Sequence, residues 1–364
     1  MPGRAAAGVW VSRDDTTMGE KHIARLEPVG IEMEVDEDET ILDAAFRQGI
    51  MLMHGCKEGQ CSSCKSFLLD GDVDLDRYST FALPDFEEAE GYTLLCRAHA
   101  LTDVEIELLH YDEDAIRSGT PIITASTEVE AVEELTHDIR RLVVKVTEPE
   151  ALEFKAGQYV DIGIPGADDE HRSFSMANAP GEPGRLEFMI KLYEGGHFSG
   201  LLDNGNGISV GDELTCKGPF GMFTLRDSSP RRLVFIAGGA GMAPVLSLLR
   251  SMADKGTERP ATFYYGARTH DDLFALEEIE RLRGELPDLT FVPALSEADE
   301  DGDWEGEAGL ITDVVDRLEG DDLADVDAYL CAPPPMVDAA IALLERRGVP
   351  EAHIYFDRFT TTAA

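Results

Sequence analysis

The sequence predicts a multidomain protein with three folds in succession: a small β-rich domain, an antiparallel β-barrel and a doubly wound α/β domain. Three observations predict this order. Four cysteines with metal-ligand spacing occur between residues 56 and 96, short strand patterns separated by Gly and Pro continue to residue 228, and apolar strands then alternate with helical patterns. A chain of 364 residues has room for two or three such domains.

The overall composition is that of a globular protein with an acidic surface. Hydrophobic residues form 43% of the chain, which is ample for packed cores, and the absence of a long apolar run predicts no membrane span. The formal net charge of −41 argues against a nucleic-acid partner, because phosphates are bound by Lys and Arg. The same charge fits a positively charged docking partner, an acidic electron-carrier surface, adaptation to salt, or simply a solvated surface.

The N-terminal residues 1–21 are small and polar and contain no apolar stretch, so we expect a disordered leader rather than a signal peptide. The chain has six cysteines, and four of them fall in a metal pattern, which does not suggest a disulfide framework. The protein is therefore expected to be cytoplasmic.

Residues 22–112 are predicted to form the first domain. Ile23–Leu26 and Ile31–Val35 have the patterns of two strands, and Thr40 is placed to cap a helix that follows them. The polar residues 113–125, which include Gly and Pro, are predicted to be a linker.

The most informative motif of the first domain is a set of four cysteines. Their spacing, C-x4-C-x2-C with a fourth cysteine after 31 intervening residues, is the plant-type [2Fe–2S] ferredoxin pattern. The predicted metal ligands are Cys56, Cys61, Cys64 and Cys96. Gly55 and Gly59 flank the first ligand and let the backbone N–H groups approach the cluster sulfur atoms. Such a cluster carries one electron at a time.

Two other kinds of metal site fit parts of this pattern. Zinc could be bound by two pairs of residues that are each separated by two positions, Cys61 with Cys64 and Cys96 with His99. A zinc site of this kind leaves Cys56 and both glycines without a role. A Rieske centre needs paired Cys and His ligands, and no C-x-H sequence lies near the loop. His54 and His99 are expected to be polar neighbours rather than ligands.

Residues 126–228 are rich in short strand patterns separated by Gly and Pro, which favours an antiparallel barrel. The predicted strands are Leu142–Val146, Tyr159–Ile164, Arg172–Ala177 and Leu186–Tyr193. The third strand begins with Arg172, Ser173, Phe174 and Ser175, and this stretch resembles the R-x-[YFS]-[ST] motif of the ferredoxin–NADP reductase superfamily.

The resemblance implies an FAD site on that strand. Within it, Arg172 binds the pyrophosphate, Phe174 lines the isoalloxazine ring and Ser175 faces N5, with Ser173 in the same motif. A second family element, G-G-x-x-S, is matched by three residues and supplies backbone amides to phosphate. The candidate flavin contacts of this second element are Gly195, Gly196, His197 and Ser199.

Residues 229–364 alternate apolar strands with helical patterns, which indicates a doubly wound parallel sheet. The predicted strands are Leu233–Ala237, Ala261–Tyr265, Leu289–Ala294 and Ala328–Cys331. The first strand leads into a glycine turn and a helix, where a pyrophosphate can approach the helix N-terminus. A proline replaces the third glycine of the common fingerprint, as in the reductase superfamily. The predicted NAD-binding residues of this turn are Gly238, Gly239, Gly241, Met242 and Pro244.

The end of the second α/β strand bears on the choice between NADH and NADPH. No acidic residue closes that strand, and Arg268 is a candidate contact to a ribose or a 2′-phosphate. No second basic residue is near, and Asp271 and Asp272 would repel a 2′-phosphate. NADH is therefore the expected cofactor.

Two further elements resemble the same superfamily. Cys331–Met336 is similar to its C-G-P-P-x-M element, with Ala332 in place of Gly. The resemblance places Cys331 beside the nicotinamide and Met336 in the same element, whereas a free Cys at a strand end is otherwise a small buried hydrophobe. Phe359 is the candidate aromatic that covers one flavin face, with core packing as its alternative. The candidate catalytic residues are Ser175, Cys331 and Phe359.

Over residues 22–360 the chain resembles the reductase components of bacterial multicomponent oxygenases. The resemblance implies a β-grasp [2Fe–2S] ferredoxin domain, an FAD-binding barrel and an NAD-binding domain, and electron transfer from NADH through FAD and the cluster to a separate hydroxylase. Met51–Cys61 and Asp76–Leu83 carry a narrower resemblance to the reductases of soluble di-iron, propane-type monooxygenases. A coupling protein is a candidate further partner.

Two alternatives stay open on the sequence. A reductase of an aromatic-ring (Rieske) dioxygenase, or of a phenol or methane monooxygenase, would have the same plan. A redox sensor or docking protein without catalytic activity would share the folds, but it would have no need for intact flavin and nicotinamide motifs.

Overall fold

The computed structural model describes residues 20–359 except 112, 114–115, 117–118, 168–169, 183, 204–206, 299–303 and 321–322. The predicted leader, residues 1–21, therefore lies outside the described residues apart from its last two. The chain divides into two compact units, one ending at Pro121 and one beginning at Ile122. In the described part, no helix is long and apolar enough to cross a membrane.

The described part of the first unit contains seven strands and two helices. They are β1 (Lys21–Glu27), β2 (Ile31–Asp36), α1 (Ile41–Arg47), β3 (Lys65–Asp70), β4 (Val73–Leu75), α2 (Asp85–Glu90), β5 (Tyr92–Leu94), β6 (Ala98–Ala100) and β7 (Val104–Leu108). Five of the strands form a mixed sheet in the order β2-β1-β7-β3-β5, in which β1 and β7 are parallel, and β4 pairs with β6.

The helix α1 forms where the sequence predicts it. The Thr40 hydroxyl accepts a hydrogen bond from the Asp43 amide at 3.1 Å, which caps the helix, and five of its seven residues are buried. A mixed sheet with a helix packed on it confirms the predicted β-grasp fold. The loop between α1 and β3 carries three of the cysteines, and the turn between β5 and β6 carries Cys96.

The second unit begins with a six-stranded antiparallel sheet. Its strands are β8 (Ile123–Thr136), β9 (Ile139–Glu148), β10 (Tyr159–Gly163), β11 (His171–Ser175), β12 (Arg185–Lys191) and β13 (Glu213–Phe220), in the order β11-β10-β13-β8-β9-β12. A bridge between Met176, after β11, and Phe188 of β12 joins the two edge strands, so the sheet closes as the predicted barrel. Strand β8 starts at Ile123, within the segment that the sequence predicts to be linker.

The rest of the unit is a six-stranded parallel sheet with helices on both faces. The elements are β14 (Arg232–Gly238), α3 (Met242–Asp254), β15 (Ala261–Ala267), α4 (Leu276–Glu285), β16 (Leu289–Leu295), β17 (Glu307–Ala308), α5 (Ile311–Leu318), β18 (Val326–Ala332), α6 (Pro334–Arg346) and β19 (Ile354–Arg358). The order is β17-β16-β15-β14-β18-β19. Successive strands run outward from β14 to β17 and then return to β18, so the topological switch point lies between β14 and β18.

Alternate residues of β14 face the two helical layers. Leu233 and Phe235 belong to the core shared with α3 and α4, and Val234 and Ile236 belong to the core shared with α5 and α6. A strand covered on both faces is an uninterrupted apolar run, which is why the sequence shows it so clearly. This confirms the predicted doubly wound sheet.

Side chains of α3 tie the barrel to the parallel sheet. Ser247 Oγ donates to the Asn178 carbonyl at 2.7 Å, and the Arg250 guanidinium donates to the Ala177 carbonyl at 2.9 Å. Arg250 also pairs with Glu187, a nearly buried carboxylate of β12, at 3.3 Å. The end of β11 and the helix that follows the glycine turn are thus held together within the second unit.

Candidate functional site

The four cysteines of the first unit lie as two pairs. Cys56 is within hydrogen-bond reach of Cys61, and Cys64 of Cys96. No three of the four sulfur atoms lie within 4.8 Å of one another. One tetrahedral zinc ion, with Zn–S distances of about 2.3 Å, would bring all four sulfur atoms within about 4 Å of each other. Two pairs are instead the arrangement that a two-iron cluster requires, with two cysteines for each iron.

Backbone amides of the loop point at these sulfur atoms. The amides of Glu58 and Gln60 donate to Cys56 Sγ at 3.4 and 3.2 Å, and the Cys56 amide donates to Cys61 Sγ at 3.2 Å. Hydrogen bonds within the pairs lower the pKa of Cys61 to about 5 and also lower the pKa of Cys64. The same hydrogen bonds raise the pKa of Cys56 and Cys96, so each pair favours one thiolate, the form that binds iron.

The loop adopts a left-handed backbone at three positions. Lys57, Gly59 and Ser62 have φ values of 59°, 69° and 60°. For the two residues with side chains this conformation costs about 1–2 kcal/mol each. A methyl group at Gly55 would lie 2.8 Å from Cys61 Sγ, so this glycine makes room for the sulfur. Strain of this kind fits a loop that must wrap tightly around a metal cluster.

The two histidines near the loop have other partners. His99 Nδ1 lies 3.0 Å from the Glu37 carbonyl oxygen, and its Nε2 lies 3.2 Å from Asp76 Oδ2. His54 Nδ1 lies 2.8 Å from the Leu52 carbonyl oxygen. Both nitrogens of His99 are thus engaged, which removes the support for a zinc site.

Strand β11 presents the predicted flavin motif. Arg172 and Phe174 share one face of the strand, and Ser173 and Ser175 share the other. The Phe174 ring lies 5.0 Å from the ring of Phe198 in the barrel core and remains partly exposed. Arg172 is also partly exposed, with one guanidinium nitrogen donating to the His171 carbonyl at 2.7 Å, so both side chains are partly accessible to a ligand. They suit an aromatic ring system that carries a diphosphate.

Ser173 has a structural partner within the barrel. Its hydroxyl donates to Oδ1 of the buried Asp161 at 2.6 Å, and the two residues are paired across β10 and β11. This contact holds the motif strand in place.

The second predicted flavin element is a turn before a 3-10 helix, Ser199–Leu202. Gly195 has a φ of 72°, and a methyl group at Gly196 would overlap Ser199 Oγ, so both positions need glycine. His197 is exposed and lies 3.2 Å from Glu170 Oε2 through its Nδ1. The element is therefore a short 3-10 turn rather than the start of an α-helix.

The glycine turn of the α/β domain lies at the switch point of the sheet. A methyl group at Gly238 would lie 2.9 Å from Met336 Sδ, and Gly239 has a φ of 57°. A methyl group at Gly241 would lie 2.7 Å from the carbonyl carbon of Cys331 and still closer to its oxygen. The absence of side chains therefore brings the turn against the ends of β18 and α6. The turn continues into α3, whose first residues include the buried Met242 and Pro244.

Three polar side chains from three strands meet beside this turn. Ser175 Oγ of β11 donates to Asp357 Oδ2 of β19 at 3.4 Å, and Asp357 is paired with Cys331 across β19 and β18. Asp357 keeps some exposed surface, but loss of water from around its carboxyl raises its pKa to about 6, and the hydrogen bond from Ser175 opposes this rise. Burial, together with the Asp357 charge, also raises the pKa of the Cys331 thiol well above its usual value. Cys331 is thus a neutral thiol.

Asp357 is not among the site residues predicted from the sequence. Its only signal in the sequence is an acidic residue in a strand pattern, two positions before Phe359. Of the Ser175, Asp357 and Cys331 side chains, the Asp357 carboxyl is the one that changes its protonation close to neutral pH.

The remaining predicted residues, Arg268 and Phe359, directly follow β15 and β19 of the parallel sheet. Arg268 is 61% exposed, with its guanidinium 3.8 Å from Asp272 Oδ1, and Asp272 also accepts from the Thr269 amide at 2.8 Å. Phe359 packs partly buried against the sheet core, and its amide donates to the Ala332 carbonyl at 3.2 Å. Arg268 is thus available to a ligand, and Phe359 lies at the end of β18.

Three family descriptions match successive parts of the chain. They are a 2Fe-2S iron-sulfur cluster binding domain over residues 24–101, an oxidoreductase FAD-binding domain over 126–225 and an oxidoreductase NAD-binding domain over 235–341. These matches agree with the predicted order of the three domains.

Similar proteins extend over nearly the whole chain. The reductase component of propane 2-monooxygenase from Gordonia sp. (strain TY-5) is 54% identical over 349 residues, which cover 95% of this chain and 99% of the relative. The reductase component of phenol 2-monooxygenase from Pseudomonas sp. (strain CF600) is 37% identical, with 93% and 94% coverage. The crystal structure of Amycolatopsis cytochrome P450 reductase GcoB matches with a TM-score of 0.83 at 29% identity, over 93% of this chain and 99% of that one.

Proposed function

Because this chain belongs to the family of monooxygenase reductase components with [2Fe–2S], FAD-binding and NAD-binding domains, we propose that it carries electrons from NADH to the hydroxylase of a propane-type di-iron monooxygenase. When bound, NADH supplies a hydride, FAD divides its two electrons and the cluster passes them on singly. The observation that carries the proposal is full-length similarity to a propane 2-monooxygenase reductase at 54% identity.

The residues at the switch point bind and orient the nicotinamide cofactor in this proposal. Gly238, Gly239 and Gly241 let its pyrophosphate approach the N-terminus of α3, where free amides and the helix dipole favour negative charge. Cys331 offers a neutral, apolar contact for the nicotinamide ring. The thiol has no exposed surface in this structure, so this contact requires the residues that cover it to move when the cofactor binds.

The residues of the barrel hold FAD in the same proposal. Arg172 pairs with the pyrophosphate through its planar, always charged guanidinium, and Phe174 packs against the ring system. Ser175 is anchored by Asp357 with its hydroxyl at the junction of barrel and sheet. This links the flavin side of the site to the strand that adjoins Cys331.

NADH rather than NADPH is the expected electron donor. A 2′-phosphate needs more than one cation, and the Arg268 guanidinium is already close to Asp272. Asp271 is exposed beside it and adds negative charge. A lower kcat/KM for NADPH than for NADH is the expected outcome, and a preference for NADPH would contradict this assignment.

Electrons leave the first unit at the exposed side of the cysteine loop in this proposal. Phe81 is 94% exposed, and its segment is hydrogen-bonded to the loop twice. The Ser79 amide donates to the Gly59 carbonyl at 2.9 Å, and Ser62 Oγ donates to the Ala82 carbonyl at 2.9 Å. An exposed aromatic fixed beside a redox centre is a natural contact for a protein partner.

The partner is proposed to be a di-iron hydroxylase assisted by a coupling protein in the cytoplasm. The narrower sequence similarity in Met51–Cys61 and Asp76–Leu83 supports this choice. Both stretches lie in or beside the cysteine loop, where the partner has to bind. The same reductase plan serves Rieske dioxygenases and phenol or methane monooxygenases, so purified components of these systems are the competing acceptors in a test.

The proposal is tested with two variants in NADH-driven assays. Cys61→Ser should abolish electron transfer to the hydroxylase and propane oxidation but keep NADH-dependent reduction of ferricyanide through the flavin. Phe81→Ala should keep the cluster and the ferricyanide activity and raise the KM for the hydroxylase roughly tenfold. Phe86→Ala, which removes another exposed aromatic of this unit, is its matched control.

Three outcomes would contradict the proposal. They are loss of the ferricyanide activity in a folded Cys61→Ser variant that retains FAD, an unchanged KM in Phe81→Ala, and faster turnover with a Rieske or phenol system than with the propane hydroxylase.

A further inference from the structure

Arg97 follows the ligand Cys96 and lies against the cysteine loop. Its amide donates to the Leu94 carbonyl and its carbonyl accepts from the Asp76 amide, both at 2.8 Å, so its backbone is fixed. A methyl group at Gly59 would lie 3.0 Å from Arg97 Cγ. The side chain of Arg97 therefore packs directly on the part of the loop between Cys56 and Cys61.

The guanidinium of Arg97 is only partly satisfied by protein atoms. One terminal nitrogen lies 3.2 Å from Asp76 Oδ2. The Nε atom is buried and has no hydrogen-bond partner among the described residues. A buried N–H without an acceptor is costly, and native proteins rarely keep one unless a group other than protein satisfies it.

The surroundings of Arg97 indicate what that group is. Its side chain packs on Gly59, whose amide hydrogen-bonds to Cys96 Sγ, and the Arg97 charge acts on the same sulfur. Cys96 pairs with Cys64 on the buried side of the cysteine loop. Sulfur atoms of a bound [2Fe–2S] cluster are therefore the acceptors closest at hand. Hydrogen bonds and charges near these atoms set the cluster's reduction potential.

We propose that Arg97 sets the reduction potential of the cluster, with its Nε–H donating to a cluster sulfur atom and its charge favouring the reduced form. Reduction adds one negative charge to an already anionic cluster, so a fixed cation beside it stabilises the reduced state more than the oxidised state. Asp76 opposes this effect because its carboxylate pairs with the guanidinium and partly cancels its charge. The inference rests on the proposed ligand set Cys56, Cys61, Cys64 and Cys96.

The test is a redox titration of the cluster in the full-length, FAD-loaded protein, followed by electron paramagnetic resonance. At the wild-type midpoint, Arg97→Gln should lower the ratio of reduced to oxidised cluster about fivefold. For a one-electron couple this is a shift of about 40 mV. Arg77→Gln removes the same charge from an exposed neighbour and should change the ratio less than twofold.

Two further variants separate the parts of the proposal. Arg97→Lys keeps the charge but removes Nε–H, so its ratio should fall between those of wild type and Arg97→Gln. A ratio equal to wild type would overturn the hydrogen-bond part. Asp76→Asn should raise the ratio, and this variant decides the charge part if Arg97→Gln does not retain the cluster.

The outcomes also separate this inference from the ligand assignment. The role of Arg97 would be overturned if Arg97→Gln and Arg77→Gln had equal midpoint potentials. It would also be overturned if Asp76→Asn did not raise the ratio of reduced to oxidised cluster. Wild-type protein that binds no iron and sulfide after reconstitution would overturn the ligand set instead.

Discussion

The close approach between the glycine turn and β18 leaves less room for a side chain at Gly241 than at any other glycine of the proposed nucleotide site. A methyl group there would lie 2.7 Å from the carbonyl carbon of Cys331, closer still to the carbonyl oxygen, and 3.4 Å from the amide nitrogen of Ala332. Non-bonded carbon atoms rarely approach closer than 3.0 Å. Gly241→Ala therefore requires a backbone displacement of about 1 Å.

Neither partner in this contact can move freely. Cys331 is paired with Ala237 of β14 on one side and with Asp357 of β19 on the other, in the middle of the sheet. Gly241 immediately precedes α3, whose first three residues are buried. Overpacking of a well-packed core costs about 1–3 kcal/mol, and this contact of a side chain with backbone should reach about 3 kcal/mol.

Two other glycines supply matched comparisons. Gly239→Ala meets no atom within 4 Å but has a φ of 57°, so we expect a loss of about 1–2 kcal/mol from backbone strain alone. Gly284→Ala, in α4, has neither problem and should be neutral or stabilise by up to about 1 kcal/mol. Thermal unfolding of the FAD-loaded proteins should therefore rank Gly241→Ala lowest and Gly284→Ala highest.

The functional measurement for Gly241→Ala is the KM for NADH in ferricyanide reduction. A displaced turn should raise this KM at least tenfold, because the turn and Cys331 line the proposed nicotinamide site, while FAD content stays normal. Gly284→Ala should leave the KM unchanged. A melting temperature of Gly241→Ala equal to that of Gly239→Ala, with a wild-type KM, would refute the steric reasoning.

The remaining predictions concern buried charges of the second unit. The pKa of Asp357 is raised to about 6 from an ordinary 3.8, so its contribution to stability is present below pH 4 and is lost as pH rises through 6. Asp357→Asn stays neutral and should gain about 1–2 kcal/mol relative to wild type between pH 4 and pH 7 in thermal unfolding; parallel pH profiles would contradict this. Arg259→Ala leaves the buried Asp327 without its 2.9 Å partner and should cost about 3 kcal/mol, whereas Arg281→Ala, in an exposed pair, should cost under about 1 kcal/mol. If chemical unfolding shows the same loss of unfolding free energy in both variants, the buried pair does not stabilise the protein more than the exposed pair.

The features that could be predicted from the sequence are motifs whose residues are close together in the chain. The cysteine loop, the motif on β11 and the glycine turn each lie within one short stretch, and the conformation they need is encoded in that stretch. The apolar strand β14 was equally clear because it is covered on both faces. The start of β8 at Ile123 could not be predicted. The strand follows a segment rich in Gly and Pro without a break, and the sequence therefore gives no signal for its first residue.

Contacts between distant stretches were not predictable in this way. Ser175 and Asp357 are 182 residues apart, and they meet only because β11 ends against the switch point where β19 pairs with β18. Arg97 reaches Gly59 because β5 and the cysteine loop are brought together by the sheet of the first unit. In each case strand order decides the contact, and no local pattern encodes it.

The buried carboxylates of the second unit show why Asp357 differs from the structural acids. Glu187 lies between Arg141 and Arg250, and Asp327 is paired with Arg259, so their charges are compensated by cations. In the described part of the chain Asp357 has the Ser175 hydroxyl but no ion pair. A largely enclosed carboxyl without a cation binds a proton more readily than a compensated one, which is why the pKa of Asp357 is raised to about 6. A protein that needed this position only for packing would be more stable with a neutral residue there. Near pH 6 this carboxyl changes between its neutral and ionised forms beside Ser175, at the place where the flavin and nicotinamide motifs meet.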